Sequence, residues 1–318
     1  MKPALLVFGY GLVVAWCLPA LLTRLTAAGL SARLGLAAWL AAMVSVLASV
    51  LSAIQYLLTA AVTGWPHLAE AVCRSVAGGA CTTVVYRSAF FELALGVAAI
   101  AAALALAVLA WRYGRRVQRA QRRTRAHAEA ARITGRRLPG GAAVVLDAAR
   151  PAAYCVPGRP AAIVLTSAAL AVLDPGQLAA VLAHERAHLA GRHHLLIGLT
   201  RGLAATFPGV PLFTQAPAEV ARLAEMCADD AAARRSSRPM LVAALLAMGT
   251  GAAVPAAALA ATTCAVSARV QRLLEPAPRG RYVGNRVALV AVILLLAAVS
   301  VLVTCYAGPL AAHGLGLR

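Results

Sequence analysis

Five consecutive residues in the second half of the chain have types and spacing suited to metal chemistry: His184, Glu185, Arg186, Ala187 and His188. Residues four apart lie on one face of an α-helix, so both imidazoles could bind one metal ion. Glu185, the next residue along, would lie beside the open coordination position of that metal. Two histidines with an open position are typical of catalytic zinc, which activates a bound water. The pattern therefore predicts a zinc ion as cofactor.

The residues before this motif predict the helix that must position it. Asp174 is a favourable N-cap, Pro175 suits the first helical position, and Gln177 stands where a capping box needs it. We therefore expect a helix from about Pro175 to about Ala190 that carries both histidines.

A third zinc ligand must come from later in the chain, because catalytic zinc usually has three protein ligands. A second helix is predicted from about Ala216 to about Arg235, and Glu225 within it is the preferred ligand. Asp229 lies one turn further on the same face, where it could accept the free ring N–H of a motif histidine. Glu219 is the alternative ligand, and Cys227 is expected to pack rather than bind metal.

Hydrolysis of a peptide bond is the chemistry that this ligand set would support. Glu185 would accept the proton of the water and pass it to the leaving amine. The developing oxyanion needs a further donor, for which Arg234, Arg235 and His193 are all candidates.

The composition indicates a membrane protein, since 61% of the residues are hydrophobic and the mean hydropathy is +0.78. Four apolar runs are long enough to cross a bilayer: Ala4 to Thr23, Leu34 to Gly64, Leu93 to Trp111 and Val287 to Ala307. Two further apolar stretches are interrupted by Gly and Pro. We expect Leu195 to Phe213 to be buried or interfacial, and Pro239 to Ser267 to form a helical hairpin.

The formal charge of +19 is unevenly distributed, with ten arginines and one acid between Arg112 and Arg137. Such a basic segment beside a span marks the cytoplasmic side of a membrane. It predicts a zinc domain in the cytoplasm at a bacterial plasma membrane, and an external loop in which Cys73 and Cys81 could pair. No direct nucleic-acid binding is expected, because the basic segment lacks interleaved aromatic residues.

Three short β-like stretches precede the motif helix: Ala142 to Leu146, Ala153 to Val156 and Ala161 to Leu165. They predict a small sheet whose exposed edge strand could bind an extended substrate. The predicted fold is an α-helical membrane protein with about four transmembrane helices and an inserted α+β, zincin-like metalloprotease domain. The expected divisions are a transmembrane region 1–111, a basic segment 112–137, a zinc domain 138–285 and a final span with a short tail 286–318.

The motif, the Arg192-His193 pair and the later Glu225-x-x-x-Asp229 pattern resemble the membrane gluzincins. These include the HtpX heat-shock peptidases, the CAAX prenyl proteases and the BlaR/MecR-type antibiotic-sensing receptors. The segment Ser267 to Pro276 and the layout of three spans, a zinc domain and a fourth span resemble the BlaR/MecR type. The resemblance covers about Ala142 to Ala307.

The resemblance implies a role for each site residue. His184, His188 and Glu225 would bind zinc, Glu185 would be the catalytic base, and Asp229 would hold a ligand histidine. The implied partner is a protein substrate, and regulated cleavage of a transcriptional repressor is slightly favoured over quality control of membrane proteins. Since the receptors have an extracellular sensor after the last span and only a short tail follows here, we expect no direct β-lactam sensing through such a domain.

One alternative from another functional class is a non-catalytic membrane scaffold with a structural zinc site. The presence of Glu185 argues against it, because a structural site needs no general base and favours four protein ligands.

Overall fold

The computed structural model describes residues 2–76, 83–138, 143–156, 158, 161–250, 266–275 and 277–314. The helices are α1 (Lys2–Thr26), α2 (Ala32–Val76), α3 (Thr83–Thr134), α4 (Ser167–Val172), α5 (Pro175–Ala190), α6 (His193–Thr206), α7 (Pro211–Ala233), α8 (Arg238–Thr250), α9 (266–274) and α10 (Arg279–Gly314). The strands are β1 (Arg136–Arg137), β2 (Val144–Leu146), β3 (Ala153–Val156) and β4 (Ala162–Thr166). The described residues are therefore mostly helical, with one small sheet.

Four of the described helices contain stretches that are long and apolar enough to cross a membrane. These stretches are Ala4–Thr26, Ala32–Ala60, Gly96–Arg119 and Arg279–Leu302. They overlap the four predicted apolar runs and support a membrane protein. The stretch predicted to be buried or interfacial contains α6, which at 14 residues is short for a crossing. Of the predicted hairpin, α8 and the start of α9 are described, and residues 251–265 lie outside the described residues, as does Cys81.

The sheet has the strand order β1-β2-β4-β3, with β2 and β4 parallel and the other two pairs antiparallel. The bounds of strands β2, β3 and β4 differ from those of the predicted stretches by at most two residues. Strand β1 was not predicted, because its two exposed arginines belong to the basic segment and have no β-like pattern. Strand β3 lies at the edge of the sheet and packs against α5.

Helix α5 is enclosed by two hydrophobic clusters. On one side, Leu182 packs with Leu165 of β4. On another, Ala183 packs with Leu241 of α8 and Leu273 of α9. Burial on several sides holds the backbone of α5 in place relative to the sheet and to the later helices.

A third and larger core joins helix α7 to the candidate spans. Leu22 of α1, Trp39 of α2 and Leu223 of α7 are fully buried in it, together with Leu289 of α10. The helix that carries Glu225 therefore packs directly against two of the four candidate spans, those in α1 and α2.

Candidate metal centre

Helix α5 begins and ends where the sequence predicts, at Pro175 and Ala190. The side chain of Asp174 accepts a hydrogen bond from the backbone N–H of Gln177 at 2.8 Å, and the Gln177 side chain accepts one from the backbone N–H of Asp174 at 3.0 Å. The predicted capping box is confirmed. It satisfies two donors at the start of the helix that would otherwise lack partners.

Three side chains from two helices converge on one point. The Nε2 atoms of His184 and His188 are 3.0 Å apart. The Oε2 atom of Glu225 lies 3.5 Å from His184 Nε2, and its Oε1 atom lies 3.4 Å from His188 Nε2. The histidines are buried, whereas the Glu225 side chain is 38% exposed and lies on the open side of the cluster.

The size of this triangle fits a zinc ion. With zinc–ligand distances of about 2.0–2.1 Å, neighbouring ligand atoms of a tetrahedral site lie roughly 3.3–3.4 Å apart. The three observed separations are close to that value. Two imidazoles and one carboxylate are also a donor set that zinc accepts in catalytic sites.

The Nδ1 atom of His184 lies 3.1 Å from Oδ1 of Asp229, whose side chain is fully buried. A carboxylate on this nitrogen favours the tautomer that leaves Nε2 free for a metal. Asp229 therefore lies one turn after Glu225 and against His184.

The Nδ1 atom of His188 is hydrogen-bonded to Nδ1 of His193, at 3.0 Å. Burial, followed by the nearby charge of His188, lowers the pKa of His193 to about 4, so its ring is neutral and can accept this hydrogen bond. A Cβ atom at Gly191 would collide with the His193 imidazole, so the close packing of the two rings requires glycine there. The sequence made His193 a candidate oxyanion donor. Its Nδ1 is instead hydrogen-bonded to His188 Nδ1, the ring nitrogen of His188 that faces away from the cluster.

Arg269, on α9, contacts Asp229 and Glu225, and the sequence did not single it out. Its guanidinium donates to both oxygens of Asp229, from Nε to Oδ2 at 2.8 Å and from Nη2 to Oδ1 at 2.6 Å. Its Nη1 atom lies 3.1 Å from Glu225 Oε2. In the sequence, this region was marked only by the resemblance of the segment Ser267 to Pro276 to the BlaR/MecR type.

The carboxylates make the site favourable for a cation. Burial acts to lower the pKa of His184, but contacts with Asp229 and Glu225 outweigh it and raise that pKa to about 9. Burial acts to raise the pKa of Glu225, but its contacts with His184 and His188 lower it, so this carboxylate stays ionised. Burial raises the pKa of Glu185, and the charges of the two histidines oppose that rise only in part. A raised pKa suits a carboxylate that must accept a proton.

The other candidates lie elsewhere. Glu219 forms an ion pair with Arg222 at 2.6 Å and does not join the histidines. Cys227 is buried in the core shared with the spans, as a packing residue would be. Arg234 and Arg235 lie exposed in the turn after α7, and their part in stabilising an oxyanion stays a hypothesis.

Residues 115–218 match the model of peptidase family M48. The match covers about a third of the chain, includes all of α5, and ends before Glu225. It supports a metallopeptidase, and peptidases of this family are typically zinc-dependent. No curated protein and no solved structure matches the chain.

Proposed function

We propose that this protein is a membrane-embedded, zinc-dependent endopeptidase. The observation that carries the proposal is the convergence of His184 and His188 with Glu225. The two histidines and Glu185 lie on α5, which falls within the peptidase match, and Glu225 lies on α7. His184, His188 and Glu225 are the proposed ligands, and Glu185 is the proposed catalytic base. The fold that the sheet and α5 form is proposed to be zincin-like.

Zinc bound by these residues would lower the pKa of a water and polarise the scissile carbonyl. Glu185 would accept the proton of a water and return it to the leaving amine, and its burial, which raises its pKa, suits that transfer. Asp229 and His193 hold the rings of His184 and His188 from their outer nitrogens. The residues therefore divide into ligands, a base and groups that fix the ligands.

The edge strand β3 supports binding of an extended substrate. In the described sheet β3 pairs on one side only, with β4, and it packs against α5. Burial, followed by the charge of Glu185, raises the pKa of Cys155 on this strand to about 11. A peptide added along β3 would have its backbone aligned beside the metal centre.

The proposed location is a bacterial plasma membrane with the catalytic domain in the cytoplasm. The arginine-rich part of α3 continues directly from the third candidate span, which is the arrangement of a cytoplasmic flank. Because α7 packs against the spans, the site would reach cytosolic or membrane-proximal proteins. Regulated cleavage of a transcriptional repressor is the favoured role, and quality control of membrane proteins is the alternative.

The test compares wild type with Glu185→Gln after purification in detergent, with the exposed Glu129→Gln as the matched control. We expect one zinc per chain in all three proteins, and a loss of about 100- to 10,000-fold in cleavage of an unfolded substrate protein only in Glu185→Gln. Zinc with equal, negligible cleavage in all three would favour the scaffold alternative. Absence of zinc from the wild type would sink the ligand assignment.

A further inference from the structure

We propose that Arg269 is a positioning residue of the metal centre, which fixes two carboxylates of α7 at once from the separate helix α9. This inference rests on the proposed zinc site and adds a residue outside the peptidase match. Arg269 is not a ligand; it acts through Asp229 and Glu225.

The geometry with Asp229 is a two-pronged contact. Two nitrogens of the guanidinium each donate to a different oxygen of the carboxylate, at 2.8 and 2.6 Å. Such a paired contact fixes the plane of the carboxylate as well as its position. Since Oδ1 of Asp229 also lies 3.1 Å from His184 Nδ1, the orientation of the His184 ring depends on Arg269.

The buried negative charge of Asp229 makes its contact with Arg269 necessary. Asp229 is fully buried, and a buried carboxylate without a partner is strongly unfavourable. His184 must be a neutral imidazole to bind zinc through Nε2, so it contributes no full positive charge to Asp229. Among the described residues, Arg269 is then the cation in contact with this carboxylate.

The third guanidinium nitrogen extends the effect to a proposed ligand. Arg269 Nη1 lies 3.1 Å from Glu225 Oε2, which turns the carboxylate so that Oε1 lies 3.4 Å from His188 Nε2. Arginine can hold both carboxylates because its donors form a rigid fork. Lysine keeps the charge but offers a single ammonium, which cannot reproduce both contacts.

Helix α9 is also held in place by a second arginine, which lies outside the site. Arg272, three residues after Arg269, donates to the backbone oxygen of Met226 at 2.9 Å and to Asp230 Oδ1 at 2.7 Å. The same substitution at Arg272 therefore tests the docking of α9 without removing a contact to Glu225 or Asp229.

The experiment compares full-length wild type, Arg269→Lys and Arg272→Lys in detergent. Zinc affinity is measured by competition with a chromophoric chelator, and ligand geometry by the visible absorption bands of Co²⁺ bound in place of zinc. We expect Arg269→Lys to raise the zinc Kd by about 10- to 100-fold and to shift the Co²⁺ bands, while Arg272→Lys changes neither. If Arg269→Lys does not fold, Arg269→Gln takes its place; its single amide cannot donate to both carboxylates, so it is expected to show the same loss while Asp229 stays intact.

Three other results would overturn the proposal in distinguishable ways. Unchanged zinc affinity and Co²⁺ bands in Arg269→Lys would reject the role of Arg269 and leave the peptidase proposal intact. If both lysine variants lost zinc affinity and thermal stability to the same extent, the role of Arg269 would be only to dock α9. A wild type that binds neither metal would overturn both proposals.

Discussion

The two motif histidines are held from their outer nitrogens by different groups. Asp229 contacts His184, and His193 is hydrogen-bonded to His188. A carboxylate makes its histidine more electron-rich than a neutral imidazole does, so the rings of His184 and His188 are not equivalent. His193 is neutral at physiological pH because burial lowers its pKa to about 4, and it can therefore accept the N–H of His188 without adding charge to the site.

Replacement of His193 by alanine tests this contact. We expect His193→Ala to raise the zinc Kd by about 10- to 100-fold, because the His188 ring loses the group that fixes its orientation. The matched control is His194→Ala, which changes the adjacent histidine of α6 and should leave the affinity unchanged. Chelator competition measures both. Equal zinc affinities in the two variants would show that His193 does not position His188.

Among the elements, α5 determines the geometry of the site, because it carries both motif histidines and the proposed base, Glu185. Its first turn is secured by the reciprocal hydrogen bonds of Asp174 and Gln177, ten residues before His184. Those bonds stabilise the start of the helix, whereas packing against the sheet, α8 and α9 holds the part that carries His184 and His188.

Removal of the cap should therefore lower stability more than it lowers metal binding. For Asp174→Ala we expect a decrease of about 1 kcal/mol in the free energy of unfolding, with little change in zinc affinity. Thermal unfolding in detergent and chelator competition measure the two quantities. Glu129→Ala, at an exposed carboxylate of α3, is the control and should change neither. A large loss of zinc from Asp174→Ala would mean that the cap orients the ligands themselves.

At the scale of the whole molecule, the turn between α1 and α2 connects the candidate spans to the site. Arg222 of α7 donates to the backbone oxygen of Thr26 at 3.0 Å, and Arg272 donates to that of Gly29 at 3.2 Å. Gly29 has a φ of +61°, and a Cβ there would collide with the sulfur of Met226, the neighbour of Glu225. This turn is therefore packed closely against the helix that supplies the proposed third ligand.

Replacement of Gly29 tests how much the molecule depends on that turn. We expect Gly29→Ala to lower the free energy of unfolding by about 1–2 kcal/mol, because an L-residue with a side chain is strained at positive φ. Gly9→Ala, in α1 where an added Cβ meets no atom within 4 Å, is the control. It should be neutral or stabilising by up to about 1 kcal/mol. Thermal unfolding of both variants in detergent measures these changes. Equal stabilities of Gly29→Ala and Gly9→Ala would show that the turn tolerates a side chain.

The sequence alone determined the features that depend on residues close together along the chain. The bounds of α5, its capping box and the common face of His184 and His188 follow from contacts over three or four residues, and the candidate spans follow from uninterrupted apolar runs. Glu225 and Asp229 were found through their one-turn spacing and a family likeness. The tertiary structure alone decided that His193 lies behind His188, that β1 joins the sheet, and that α7 packs on the spans. It also brought Arg269 to Asp229 across 40 residues. Such contacts depend on how whole helices pack, and no local periodicity encodes which side chains then meet.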